Sequence, residues 1–125
     1  KQHRHTDVLL IDDDEAARES VAILLRKSGY NVTVAKDGTE ALKLVDEVKP
    51  SVALIDIGLP DISGLDVARQ VREKYPRKKI RLIALTGFGR QEDREAALEA
   101  GCDMHLVKPV EFSTLERVIA YHVTR

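Results

Sequence analysis

Residues 52–64, VALIDIGLPDISG, decide the fold. Four apolar residues lead directly into Asp56, and the chain then turns through Pro60 and Gly64. A short apolar run bounded by turn residues is typical of a strand that is covered on both faces. Such strands belong to parallel sheets with helices on either side, in which ligands bind beyond the carboxyl ends of the strands. A carboxylate at this position therefore predicts a functional site at the end of this strand.

The same alternation of apolar runs and helical patterns extends along the chain. The predicted strands are 8–11, 30–35, 52–55, 80–85 and 104–107, and the predicted helices follow them, the third over 65–74 and the fourth over 91–100. Five strands interleaved with five helices predict an α/β, flavodoxin-like doubly wound (βα)5 fold with a parallel sheet in the order 2-1-3-4-5 and helices on both faces. The second run alternates apolar and polar residues, which predicts an edge strand.

Helical periodicity also predicts which side chains face the sheet. In the first helix the apolar residues at offsets 0, 4, 7 and 8 are Ala17, Val21, Leu24 and Leu25. These offsets share one side of a helix, so this stripe is predicted to pack inward.

Length and composition limit the function. The 125 residues predict one domain over 7–125, preceded by a flexible tail or linker remnant over 1–6. A net charge of -1 gives no long-range attraction to nucleic acid, and no apolar run has the length of a membrane span. The single cysteine, Cys102, has no partner for an internal disulfide. A reducing, cytoplasmic setting is therefore expected.

Five polar groups follow the apolar runs of the predicted sheet and should meet at one edge. They are Asp12 and Asp13 after the first strand, Asp56 after the third, Thr86 after the fourth and Lys108 after the fifth. The first and third strands flank the switch point of this strand order, where ligands bind. One of the first two acids could serve simply as a helix cap, but five convergent groups predict a site.

Three crowded carboxylates need a compensating positive charge, because their mutual repulsion would raise the pKa of one of them. Oxygen ligands in a shallow site suit a hard divalent cation, Mg2+ or Mn2+. Lys108 adds a fixed positive charge. This combination would keep Asp56 anionic and able to act as a nucleophile toward a phosphoryl group, with Thr86 as a hydroxyl donor.

At these residues the chain resembles the receiver domains of two-component response regulators and hybrid histidine kinases. Four motifs carry the resemblance, in this order: VLLIDDD (8–14), DIGLP (56–60), LTG (85–87) and LVKP (106–109). The resemblance implies that Asp56 accepts a phosphoryl group from a phosphohistidine and that Thr86 and Lys108 contact the phosphoryl oxygens. Pro109 is similar to the proline that follows the lysine in this family, where it is often cis.

The resemblance also implies a ligand set for the metal. Asp13, Asp56 and the backbone carbonyl of Gly58 would ligate Mg2+, and Asp12 would assist through water. An aspartyl phosphate hydrolyses, and the resemblance implies that Gly58 and Phe88, beside the site, influence how fast. The domain would be a signalling phosphoacceptor, and not an enzyme with turnover of its own.

One position departs from the family pattern. Receivers usually carry Tyr or Phe three residues before the lysine, as a ring that moves inward on activation, and this chain has His105. A histidine could fill the space that Thr86 vacates, or could be a partly exposed strand residue with no switching role. The segments 84–89 (ALTGFG) and 104–111 (MHLVKPVE) are similar to receivers fused to histidine kinases. The alternative is a stand-alone or transcription-factor-linked regulator.

The resemblance implies partners and an output. A histidine kinase or a histidine phosphotransfer protein would supply the phosphoryl group. The surface of the fourth helix, fifth strand and fifth helix would then change between two arrangements and contact an output domain or effector. A weak homodimer through the last helices is a further possibility. Direct nucleic-acid binding and membrane insertion are not expected.

Three other function classes explain the sequence less well. A haloacid-dehalogenase-like aspartyl phosphatase has Thr or Val where this chain has Ala16, and needs a downstream acidic pair that is missing here. A flavin phosphate would be repelled by the acids after the first strand. A histidine kinase or phosphotransfer domain is helical and presents a surface histidine.

Overall fold

A computed structural model of the chain describes residues 6–123. Within them, five strands alternate with five helices. These are β1 (Asp7–Ile11), α1 (Glu15–Lys27), β2 (Asn31–Ala35), α2 (Gly38–Val48), β3 (Val52–Asp56), α3 (Gly64–Lys74), β4 (Arg81–Thr86), α4 (Gln91–Glu99), β5 (Met104–Val107) and α5 (Phe112–Val123). All strand pairs are parallel and the order is β2-β1-β3-β4-β5, which confirms the predicted doubly wound fold.

The strand boundaries differ from the prediction at the residues that matter for the site. Strands β3 and β4 each extend one residue further, so Asp56 and Thr86 are the last residues of their strands. Strand β2 begins at Asn31 instead of residue 30, although it lies at the edge as predicted. The predicted tail falls outside the described residues except for Thr6, whose carbonyl accepts a hydrogen bond from the Asn31 amide at 2.9 Å.

The sheet separates two apolar layers because alternate strand residues face opposite sides. On one side, Leu9 and Ile55 pack with residues of α2, α3 and α4. On the other, Leu10 and Leu54 pack with residues of α1 and α5. The central strands are therefore covered on both faces, as their continuous apolar sequences predict. Within the described part of the chain, every helix is too short or too polar to cross a membrane.

The inward face of α1 differs from the predicted stripe. Ala17 is exposed and Leu24 is 41% exposed, whereas Ala22 and Leu25 are fully buried. The buried residues lie three apart, and Arg18 stands four residues before Ala22 on the same side of the helix. The face is thus rotated by about one residue, which turns a charged side chain toward the sheet.

Candidate functional site: an acidic cluster with a lysine

The acidic turn after β1 combines a helix cap with two further carboxylates. Asp14, the third acid, caps α1, since its side chain accepts a hydrogen bond from the Ala17 amide at 3.3 Å. Asp12 is buried and accepts one from the Asp14 amide at 3.0 Å, while Asp13 is exposed. The capping role that could have explained Asp12 or Asp13 therefore belongs to their neighbour.

Asp56 is held at the end of the central strand. Its side chain is 10% exposed, and its Oδ1 accepts a hydrogen bond from the Gly58 amide at 3.1 Å. Its backbone pairs with Leu85 of β4, and the Leu85 carbonyl accepts from the Ile57 amide at 3.0 Å. One carboxylate oxygen is thus fixed by the backbone, and the other, Oδ2, faces the rest of the site.

Lys108 brings a positive charge to two of the acids. Its Nζ lies 3.2 Å from Oδ2 of Asp56 and 4.0 Å from Oδ2 of Asp12. The Lys108 amide donates to the Thr86 carbonyl at 2.7 Å, which ties the ends of β4 and β5 together. The peptide bond to Pro109 is cis. The sheet has therefore gathered groups that are far apart in sequence around one point.

The three carboxylates meet the requirements of a small oxygen-liganded cation. Each of Asp12, Asp13 and Asp56 offers one oxygen, and the three oxygens lie within 4.8 Å of one another. Ligands on opposite sides of Mg2+ stand about 4.2 Å apart, so small side-chain rotations would bring these oxygens onto one ion. The donor set is hard oxygen with one exposed side, which fits Mg2+ with part of its hydration shell retained.

The pKa of Asp12 is raised by the surroundings of its carboxyl group. Burial raises the pKa of this carboxyl above its ordinary value, and the neighbouring Asp56 raises it further. The hydrogen bond from the Asp14 amide and the charge of Lys108 act in the opposite direction. The raised pKa of Asp12 thus reflects its burial first and the like charge of Asp56 only in smaller part, and a divalent cation would favour its charged form.

Thr86 and Phe88 mark a loop beside the cluster. Thr86 is buried, and its hydroxyl oxygen accepts a hydrogen bond from the Phe88 amide at 3.3 Å. Phe88 is 63% exposed, and the Arg90 guanidinium lies 5.1 Å from its ring centre. The Thr86 side chain has no bond to the acids within residues 6–123, so the structure brings it to the edge of the cluster and not into it.

His105 lies on β5, the strand that pairs with β4. Its side chain is half-buried, and its Nε2 is buried without a hydrogen-bond partner among the described residues. In the register of β4 and β5 it pairs with Ala84. His122, by contrast, packs on α5 with its Nδ1 2.9 Å from the Val118 carbonyl.

Sequence analysis missed Asp61, which fixes the loop after Asp56. Its carboxylate accepts hydrogen bonds from the amides of Gly38, Thr39 and Ile62 at 2.8, 3.0 and 2.7 Å, and from the Thr39 hydroxyl at 2.6 Å. These bonds, the Thr39 hydroxyl first, hold the pKa of Asp61 well below its ordinary value. The loop that contains Gly58 is thereby attached to the start of α2.

A second missed residue, Arg18, contacts the acidic turn directly. Its Nη1 donates to the backbone carbonyl of Asp12 at 2.9 Å. The signal available in the sequence was a charged residue at helical spacing from the buried residues Ala22 and Leu25.

Comparisons with known proteins agree with this geometry. The model of the response regulator receiver domain family matches residues 8–120. An uncharacterized 14.6 kDa protein from the sodA1 3′ region of Leptolyngbya boryana is 36% identical over 90% of this chain and 86% of its own length. The response regulator MprA of Mycobacterium sp. (strain KMS) is 37% identical over 86% of this chain. This chain spans only 46% of the length of MprA.

Solved structures give the same result. A CheY-like receiver domain protein from Methanospirillum hungatei superposes with a TM-score of 0.89 at 29% identity, over 95% of this chain and 94% of that one. The chemotaxis protein CheY4 of Vibrio cholerae superposes with a TM-score of 0.87 at 28% identity, over 93% and 97%. Sequence, fold and acidic cluster point to one conclusion: the chain belongs to the response regulator receiver domain family.

Proposed function

We propose that Asp56 is the phosphoacceptor of a two-component phosphorelay and that its phosphorylation depends on Mg2+. The observation that carries the proposal is the environment of its carboxylate. One oxygen accepts the Gly58 amide, and the other lies 3.2 Å from the Lys108 ammonium, in a cluster of three acids. A carboxylate with a positive group beside its reactive oxygen is arranged for attack on a phosphoryl group.

In this mechanism an Asp56 oxygen attacks the phosphorus of a phosphohistidine in line with the bond to the imidazole nitrogen. The oxygen–phosphorus bond forms, the phosphorus–nitrogen bond breaks, and its electron pair returns to the imidazole. Lys108 moves its contact from the carboxylate to the phosphoryl oxygens, and the Thr86 hydroxyl donates to another of them. Asp12, Asp13, Asp56 and the Gly58 carbonyl would hold Mg2+, which when bound supplies charge neutralisation at those oxygens.

The output would follow from the link between Thr86 and the last two elements. When Thr86 turns toward the phosphoryl group, it gives up its bond to Phe88 and pulls on a strand end that is joined to Lys108. His105 can then fill the vacated space behind it, as the aromatic residue of other receivers does. Phe88 and Val107, which are 63% and 43% exposed, lie on the surface that would change.

The donor would be a histidine kinase or a histidine phosphotransfer protein, in the cytoplasm. The segment MHLVKPVE favours a receiver within a hybrid histidine kinase, and a stand-alone or transcription-factor-linked regulator is the alternative. Purified phosphotransfer proteins offered as acceptors would separate the two, because a hybrid receiver should pass its phosphoryl group on to such a protein. Hydrolysis of the aspartyl phosphate, tuned by Gly58 and Phe88, would end the signal.

The direct test is phosphorylation by acetyl phosphate. Native protein incubated with acetyl phosphate and Mg2+ should gain the mass of one phosphoryl group, and the gain should disappear with EDTA or in Asp56→Asn. Steady hydrolysis of p-nitrophenyl phosphate should be absent, since a receiver has no turnover beyond its own acyl phosphate. A phosphoryl group that persists in Asp56→Asn, or no gain in the native protein, would refute the assignment.

A further inference from the structure

Arg18 is an unusually buried charged residue on the inner side of α1. Its side chain is only 13% exposed. Its Nη1 donates to the Asp12 carbonyl at 2.9 Å, and its Nε lies 3.8 Å from Oε2 of Glu19, too far for a hydrogen bond. The Nε is buried and has no hydrogen-bond partner within the described part of the chain. Burying this charge costs free energy. A role of Arg18 at the acidic turn can explain why the side chain is nevertheless buried.

The carbonyl that Arg18 contacts belongs to the peptide unit between Asp12 and Asp13. The orientation of that unit sets where both side chains begin. The turn is otherwise held at the Asp12 amide, which donates to the Ala35 carbonyl at 3.1 Å, and at the Asp14 amide, which donates to Asp12 Oδ1. Arg18 supplies a side-chain contact to the carbonyl side, with a charged donor of fixed shape.

We propose that Arg18 is a positioning residue for divalent-cation binding: through the Asp12 carbonyl it holds the Asp12–Asp13 peptide in the orientation that places both carboxylates beside Asp56. The inference rests on the proposed function, because it names a residue that supports the same metal site. Arg18 does not touch the metal or the phosphoryl group.

Two effects of Arg18 on cation affinity have opposite signs, which makes the inference testable. Its positive charge beside the acidic turn repels Mg2+, so removal of the charge alone would tighten binding. Its contact to the Asp12 carbonyl orders the ligands, so loss of the contact would weaken binding. Residues that orient metal ligands commonly change affinity about 10- to 100-fold when replaced. Positioning is therefore expected to dominate.

The experiment compares Arg18→Met, Arg18→Lys and a control, Arg26→Met. Arg26 is also on α1 and donates to a backbone carbonyl, that of Val32 at 2.9 Å, away from the acids. Calorimetric titration with Mg2+, and with Mn2+ by electron paramagnetic resonance, gives the dissociation constants. The initial rate of phosphorylation by acetyl phosphate is measured over a range of Mg2+ concentrations.

We expect the Mg2+ dissociation constant of Arg18→Met to rise about tenfold, with a smaller rise in Arg18→Lys and none in Arg26→Met. At saturating Mg2+ the phosphorylation rate should recover to within about twofold of native, a pattern that general destabilisation would not produce. Binding by Arg18→Met that equals or exceeds native affinity would overturn the inference. If that variant does not fold, Arg18→Lys decides, because native affinity in a variant that keeps the charge but not the shape of the donor would also overturn it.

The two proposals fail in different ways. Native protein that neither binds Mg2+ nor is phosphorylated on Asp56 would refute the proposed function, and the positioning role with it. Native protein that does both, with Arg18 variants that need no more Mg2+ than native, would refute the positioning role alone.

Discussion

Gly64 lies against the backbone of Asp56, and its replacement by alanine should impair both the stability and the proposed phosphorylation. A Cβ at this position would lie 2.5 Å from the Asp56 carbonyl oxygen and 2.7 Å from the Ile57 Cα. Both are backbone atoms, so they must retreat by about 0.9 and 0.7 Å, respectively, to reach ordinary contact at 3.4 Å. The Gly64 amide also donates to the Ile57 carbonyl at 3.0 Å, which closes the loop between β3 and α3.

The expected cost of Gly64→Ala is about 1–3 kcal/mol in the free energy of unfolding, as for other additions to a tightly packed region. Displacement of the Asp56 backbone by nearly this distance should lower the phosphorylation rate by about 100-fold, because phosphoryl transfer depends on alignment. Unlike a loss of metal affinity, this defect should persist at saturating Mg2+.

Urea denaturation and the acetyl phosphate reaction followed by mass spectrometry measure the two effects. Gly87→Ala is the control for stability, since a Cβ there meets nothing within 4 Å and its free energy of unfolding should change by less than about 1 kcal/mol. A Gly64→Ala protein with native stability and native rate would show that the backbone around Asp56 yields easily, and the packing argument would be wrong.

Three further predictions concern charges. In Lys108→Met the phosphorylation rate should fall about 100-fold or more. Mg2+ should nevertheless bind at least as tightly in calorimetry, because the ammonium group 3.2 Å from Asp56 repels the cation, and weaker binding would contradict this. In Asp103→Asn the free energy of unfolding should fall by about 3 kcal/mol in urea titrations, because the carboxylate is 6% exposed and pairs with Arg72 at 3.2 Å and Arg77 at 2.7 Å. Phosphorylation should be unaffected, since Asp103 precedes β5 at the opposite end of the sheet. In Asp61→Asn the loss of thermal stability should be full at neutral pH, begin to shrink as the pH falls below about 4, and vanish only below the lowered folded pKa of Asp61, because a carboxylate with a lowered folded pKa loses its stabilising contribution progressively on acidification. A loss independent of pH would contradict the assignment.

The sheet could be predicted from sequence because its signal is local and repeated. The apolar runs of β1, β3 and β4 specify strands covered on both faces. The acids after β1 and β3 then predict a site, because ligands bind beyond the carboxyl ends of parallel strands. Periodicity predicts the side on which a residue lies better than it predicts hydrogen bonding. Tyr30 packs in the same apolar layer as Val32 and Val34, which the alternation of that run indicates, although it precedes the strand.

The supporting contacts of the site could not be predicted in this way. Asp61 bonds to residues 22 and 23 positions earlier in the chain, and that pairing depends on how two loops meet after the sheet has formed. The sequence does not reveal that Arg18 faces inward, because Leu24 and Leu25 are equally apolar. Only packing against the sheet shows which of the two leucines is buried. The sequence predicts the position of Thr86 at a strand end, but not its hydrogen bond with the Phe88 amide, which depends on the conformation of the following loop.

Asp56 belongs to a strand in which all five residues are buried, and not to the loop that follows it. Amides of such a central strand exchange with solvent only when the whole domain unfolds, whereas loop amides exchange by local opening. If Asp56 is phosphorylated as proposed, the phosphoryl group would be attached to a part of the domain whose amides are expected to exchange slowly, and any rearrangement in response would occur in neighbouring segments that open more often. Deuterium uptake with and without phosphorylation should accordingly differ after β4 and remain constant in β3.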